Sequence, residues 1–424
     1  MEEEKLTVAP ETVEEVSETA AEETAAAKNE PETGEAIERE DEDGEAEQTA
    51  PAAPKKASAE PLVHLTKRDG VPMSKAVAIR AIAICAALVI CALLTVFVTH
   101  KNPLVLFSNI VTGAFGKGRL WITVHNLAIL LGVSLAVTPA FRMRFWNIGA
   151  EGQALAGCLA TAIVMFYFHD KMATFPLVML MIVAALGAGI LWGAIPAVFK
   201  AYWGTNETLF TLMMNYVAIQ LIEWFLKVAD RSGSNVVGPN LLGSGIPNLF
   251  GVQYLLNVLV VAVLTVVLYI YLQYSKHGYE IAVVGESENT ARYVGINVKK
   301  VIIRTMILSG AICGLMGLLI VGGASHSVDS NIVRGRGFTA IMVSWLGKFN
   351  PVYMILTALL IVVLGRGADE ITTTMGLNSS FSDILTGIIL FFIIGCEFFI
   401  RYQVHVNRNF FKKKQVENGE GGEA

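Results

Sequence analysis

Charge is scarce in this chain of 424 residues: Asp, Glu, Lys and Arg make up 16% of it, against roughly 25% in an average soluble domain. Cysteine is scarcer still. The five (Cys85, Cys91, Cys158, Cys313 and Cys396) stand far apart, which excludes a disulfide-rich secreted fold and metal-type ligand spacing. Buried small hydrophobes are expected instead. No G-x-x-x-x-G-K-[ST] string occurs, Gly116-Lys117-Gly118 being the nearest, so the chain has no phosphate loop of its own. H-E-x-x-H and G-x-S-x-G are missing too, which removes two common hydrolase readings. The seven histidines are dispersed and only His125 falls inside an apolar run, where a helix-to-helix hydrogen bond suits it better than catalysis. Residues 1–60 contain no Phe, Tyr or Trp and cannot bury enough apolar surface to offset the entropy of ordering. They also lack the basic start and short apolar stretch of a signal peptide, so nothing suggests their removal.

What is present in quantity is apolar sequence, 54% of the chain, with a mean hydropathy of +0.54. The net charge of −5 divides into −15 on residues 1–60 and +10 on residues 61–424. An acidic tail on a basic, hydrophobic body does not suit a nucleic-acid binder driven by overall positive charge; it suits a polytopic membrane protein. Runs near the ~20 residues needed for a bilayer crossing lie at 76–98, 121–141, 147–168, 174–199, 206–229, 254–274, 301–322, 337–347, 351–366 and 383–401. The expected fold is therefore an all-α membrane bundle of about ten transmembrane helices. Its organisation would be a disordered acidic cytoplasmic tail (1–60), a basic flank (61–75), a transmembrane domain (76–403) and a cytoplasmic C-terminal tail (404–424). The eighth and ninth runs are short and interrupted by Gly347 and Pro351, which makes a broken pair, or a helix that does not cross straight, an alternative there.

If the first span runs outward, 18 of the 27 Lys and Arg residues of the body fall inside and 9 outside. That excess favours cytoplasmic termini over the inverse. Two connections are then long: an outside segment at about 230–253 and an inside segment at 275–300.

Polar groups interrupt the apolar runs in two places. Asn147, Glu151 and Gln153 open the third run, and Glu207, Thr211 and Asn215 recur at intervals of four in the fifth, beside Asn206 and Glu223. Exposed to lipid they would be costly, so they face protein or a wet pathway. Both readings stand: hydrogen bonds that knit helices together, or a lining for a solute. The inside segment is too polar to span, yet Tyr279, Ile281, Val283 and Val284 give it an apolar face, which suits a surface helix docking a partner. Gly189 and Gly193, and Gly310, Gly314 and Gly317, are spaced for close helix packing.

Four ordered strings, NIGAEGQALAG (147–157), TNETLFTLMMNY (205–216), GYEIAVVGESENTARYVGI (278–296) and GRGFTAIMVSWLGKFNP (335–351), resemble the permease subunits of bacterial ABC importers of the ribose, nucleoside and branched-chain amino acid group. The N-E-x-x-x-T-L-M-x-N-Y string looks most like the nucleoside and simple-sugar branch. The resemblance implies a membrane-spanning permease of the cytoplasmic membrane, not itself an enzyme. A cytoplasmic ABC ATPase would carry ATP and Mg, no cofactor being bound by this chain directly. A second permease subunit, usually non-identical, and a lipid-anchored substrate-binding protein complete the assembly, with nucleic acid playing no part. It also implies ATPase docking on the inside loop, with Tyr279, Glu280, Gly285, Glu286, Arg292, Tyr293 and Gly295 as coupling residues. Asn147, Glu151, Gln153, Glu207, Thr211 and Asn215 are the candidate pathway residues, and the outside loop is the expected face for the binding protein. Ala282, Ser287, Glu288 and Thr290 depart from the family's usual residues in the coupling loop. Nucleosides are the expected solutes. A ribose or other monosaccharide importer and a gradient-driven secondary transporter are the alternatives.

Overall fold

Residues 63–67, 72–100, 104–230, 235–243 and 245–406 are described by the structure, a computed structural model. The acidic tail expected at 1–60 and most of the C-terminal tail lie outside the described residues. In chain order the helices are α1 (Met73–Thr99), α2 (Leu104–Phe115), α3 (Leu120–Arg142), α4 (Ala150–Phe168), α5 (Thr174–Trp203) and α6 (Glu207–Ala229). There follow α7 (Leu255–Tyr274), α8 (Lys276–Glu286), α9 (Glu288–Tyr293), α10 (Val298–Ile320), α11 (Arg336–Leu346), α12 (Pro351–Met375) and α13 (Ser379–Arg401). Nine of these are long and apolar enough to cross a membrane among the described residues.

The eighth expected span is corrected. Its helix, α11, has 11 residues, about 16 Å or half the hydrocarbon core. A nonhelical approach precedes this helix. At the end of α10 the helix loosens into a π turn, Val321–Ser325, and Ile246 N–H donates to the Gly322 carbonyl (2.7 Å) in the long loop before α7. From this distal end the chain descends without helix, pairing strand β3 (Val328–Asp329) with β2 (Val236–Val237). It then enters α11 and emerges at the proximal end, where Phe349 stacks on Phe141 at the foot of α3 (6.4 Å). Asn350 caps α12, with Pro351 as its first residue. Val328, Ile332 and Val333 of this nonhelical stretch are buried against the bundle, while Ser325, Asn331 and Arg334 are exposed.

Pairing of β1 (Val63–Lys67) with β4 (Tyr402–Val406) in antiparallel register brings both ends of the described chain to one side of the bundle. Among the described residues nine helices are of spanning length, and α11 with its nonhelical approach lies between two of them, α10 and α12. The 12-residue α2 is the unexpected element; it packs at the distal end against α12, where a Cβ on Gly113 would lie 2.7 Å from the Arg366 carbonyl.

The core is held at helix-to-helix contacts too close for side chains. A Cβ on Gly189 would lie 2.2 Å from the Gly310 carbonyl, one on Gly193 2.6 Å from the Met306 carbonyl, and one on Gly317 2.4 Å from the Ala154 carbonyl. Backbones of α4, α5 and α10 therefore touch along the glycine stripes read in the sequence. A second apolar cluster joins α1, α12 and α13 through Ala87, Cys91, Ala368, Ile371, Leu385 and Ile389, braced by the Arg80–Glu397 ion pair (3.0 Å). Four cysteines are buried as expected; Cys85 is exposed. His125 stacks on Tyr254 (4.3 Å) and its Nδ1 has no hydrogen-bond partner, so ring contact replaces the expected hydrogen bond at that nitrogen.

Candidate functional site

Between α3 and α4 the chain dips into the bundle, and its polar groups meet there. Asn147 Nδ2 donates to Ser309 Oγ on α10 (3.2 Å) and to Gln153 Oε1 (3.4 Å), while Gln153 Nε2 returns a bond to Asn147 Oδ1 (3.2 Å). Ser309 lies five residues beyond Arg304 along α10, about 8 Å farther from the proximal end. From α6, Asn215 Oδ1 accepts Gly152 N–H (2.8 Å) and its Nδ2 donates to the Ile148 carbonyl (3.0 Å). Thr211 Oγ1 accepts Ile148 N–H (3.2 Å). These two side chains satisfy the turn entering α4, where helix N–H groups have no partner of their own. Gly149 and Gly152 permit the approach: Cβ atoms there would lie 3.0 Å from Thr211 Cβ and 2.7 Å from Asn215 Oδ1.

Glu151 reaches the other way. Its two carboxylate oxygens accept Gly335 N–H (2.8 Å) and Gly337 N–H (2.6 Å) at the start of α11. A carboxylate at a helix N-terminus satisfies free amides and complements the dipole. Gly337 has no room for a side chain, since its Cβ would lie 2.3 Å from Glu151 N, and Gly335 is left-handed at φ 67°. Between them, Arg336 donates to Asn126 on α3 (3.1 Å). Arg336 thus starts the half-helix within the bundle.

Five of the six candidate pathway residues thus gather in one place. Glu207 stands apart, paired with Lys200 (2.8 Å), and Asn206 caps α6 by accepting Thr208 N–H and Leu209 N–H. Ser309, Asn126, Arg336 and the two glycine amides were missed. Arg336 was the visible signal, a charge beside an apolar run; the amides leave no trace in residue type.

At the proximal surface, Ser275 and Ser287 cap α8 and α9. Ile281 and Val284 are buried, and the helix lies so close to the foot of α3 that a Cβ on Gly285 would meet the Arg142 carbonyl at 2.2 Å. Glu280 turns inward, accepting a bond from Arg304 Nη2 (2.8 Å) with His277 Nδ1 at 3.5 Å. The Arg304 hydrogen bond, opposed by partial desolvation and aided by His277, holds its carboxyl below the usual range. Tyr279, Glu286, Arg292, Tyr293 and Gly295 are exposed, Tyr293 at 93%. Arg292 lies 3.6 Å from Glu288 on the same helix. The seven coupling candidates therefore divide into two that attach the loop and five that face outward.

A family profile described as "Branched-chain amino acid transport system / permease component" matches residues 120–394, from α3 into α13. The chain belongs to this family. It is a permease subunit of ABC importers, of the nucleoside and simple-sugar branch, and a multi-pass protein of the cell membrane. It is 30% identical over 318 residues to the glucose ABC transporter permease protein TsgB13 of Haloferax volcanii, covering 71% of this chain and 82% of that one. To the guanosine ABC transporter permease protein NupP of Bacillus subtilis it is 30% identical over 295 residues, covering 68% and 84%. To the nucleoside ABC transporter permease protein NupB of Lactococcus lactis it is 26% identical over 308 residues, covering 69% and 84%. Membership implies an ATPase partner and a substrate-binding protein, with ATP hydrolysis on the partner.

Proposed function

We propose that this permease imports nucleosides by alternating access, driven by an ATPase that docks on the proximal surface made by α8 and α9. The proximal side is then cytoplasmic, as are both termini, and ATP and Mg reside on the ATPase. A second, non-identical permease subunit completes the pathway, and a lipid-anchored binding protein delivers solute to the distal loops around 230–253.

The observation that carries this reading is the attachment of α8. Gly285 rests on the Arg142 carbonyl, and the chain from Arg142 to Gly152 is bonded in turn to α10 through Asn147, to α6 through Thr211 and Asn215, and to α11 through Glu151. A force applied to α8 is delivered to a segment that touches three membrane elements, one of them a half-helix with an unwound approach. Asn147, Glu151, Gln153, Thr211 and Asn215 form the gate in this account, closed on one another here, and Glu207 anchors the foot of α6. A neutral, hydroxyl-rich solute needs hydrogen-bonding partners without a deep charge trap, and Asn147, Gln153 and Asn215 are suitable types once their internal bonds open, with Glu151 kept on the Gly335 and Gly337 amides.

Guanosine and nucleoside permeases among the relatives favour nucleosides. The glucose permease of equal identity supports a sugar as the second reading. Uptake of labelled guanosine by cells carrying the intact system, with unlabelled nucleosides and sugars as competitors, separates them: nucleosides compete and glucose does not. Competition by glucose alone would replace the first reading with the second.

A further inference from the structure

A groove of about 430 Å3 opens between the foot of α5 and the start of α10, and neither the gate nor the outward residues of α8 and α9 use it. Its rim is basic. Lys299 and Lys300 are exposed, and the Lys299 ammonium lies over the Tyr202 ring, 4.9 Å from its centre. Arg304 also lines the groove; its Nη2 is taken by Glu280, but its Nε is buried without a hydrogen-bond partner. Below the rim the lining turns apolar, with Ile303 and Ile307 one helical turn apart on α10. Phe199, Tyr202 and Trp203 form an exposed aromatic group at the foot of α5. Such groups mark the level of lipid headgroups.

We propose that this groove binds an anionic phospholipid, with the phosphate on Lys299 and Lys300 and an acyl chain along Ile303 and Ile307. Basic pockets between membrane helices select anionic headgroups for electrostatic reasons. An acidic protein segment could satisfy the lysines but would have no use for the isoleucines below the aromatic level. The volume lies within the range of small-molecule sites.

The test is native mass spectrometry of the full chain titrated with phosphatidylglycerol or phosphatidylcholine of matched acyl chains. Phosphatidylglycerol should be retained preferentially, and Lys299→Gln with Lys300→Gln should weaken its retention by about thirtyfold. Ile307→Trp, which fills the lower wall at unchanged charge, should also reduce retention, whereas Lys276→Gln, outside this groove, should not. Excess inorganic phosphate should leave the lipid bound. Equal retention of the two lipids, full retention by the double lysine variant, or displacement by phosphate alone would each overturn the proposal.

Discussion

The buried cluster around Asn147 and the proximal surface are both polar interruptions of an apolar chain, and they use their polar groups in opposite ways. Around Asn147 the side chains bond one another and the backbone: Asn147 and Asn215 each use both ends of their amides, and both Glu151 oxygens are taken. On α8 and α9 the inward residues make the bonds, while Tyr279, Glu286, Arg292 and Tyr293 point to solvent. Buried polar groups must find partners inside the fold; exposed ones remain available to another protein. The proposed joint and the proposed dock thus differ in where their hydrogen bonds end.

Five variants at four positions test the distinction. Gly285→Trp forces a side chain against the Arg142 carbonyl. Overpacking costs about 1–3 kcal/mol, so α8 attachment should weaken by about tenfold to a hundredfold. ATP-dependent uptake should fall accordingly while the protein stays in the membrane; unchanged uptake would sever α8 from the gate. Glu151→Ala leaves the buried Gly337 amide and the part-buried Gly335 amide unsatisfied and should lower stability by about 2–4 kcal/mol, measured as thermal unfolding in detergent. Glu151→Gln keeps an acceptor and should recover part of the loss. If neither variant lowers the unfolding temperature, the contact with α11 carries little energy.

Tyr293→Ala removes an exposed ring, so uptake should fall several-fold with the unfolding temperature unchanged; a change in unfolding temperature would mean that Tyr293 belongs to the joint. The smallest effect concerns pH. Because Arg304 holds the Glu280 carboxyl below its usual range, the stability it contributes is present above the unfolded pKa. It is lost as pH falls through the lowered folded value. Hydrogen exchange in α8 should thus be insensitive to this group near neutrality and rise only in acid, and Arg304→Gln should move that rise to higher pH. An exchange profile identical in the variant would remove the ion pair from the account.

Much of the fold was legible because apolar runs of bilayer length leave little choice of structure. The eighth run was half legible: its apolar stretch is real, but Gly335 and Gly337 start the helix midway, against a carboxylate 184 residues earlier. Nothing in local composition shows that partner. The 12 residues of α2 fell below spanning length, and the pairing of Val63–Lys67 with Tyr402–Val406 depends on a closure that only the folded bundle provides. At the site, intervals of four in α6 correctly put Thr211 and Asn215 on one face. Glu207, although on the same interval, answers to Lys200 at the end of α5. Periodicity reports a shared face and is silent about the neighbour beyond it.

The central claim is that an ATPase acting through α8 drives this permease. Its most direct test is guanosine uptake into right-side-out membrane vesicles from cells expressing the whole system, loaded with ATP or left empty, for the wild type and Gly285→Trp. The account predicts uptake that requires ATP, survives collapse of the ion gradients and is lost in the variant. Uptake that proceeds without ATP, stops when the gradients are collapsed and is unaffected by Gly285→Trp would contradict it.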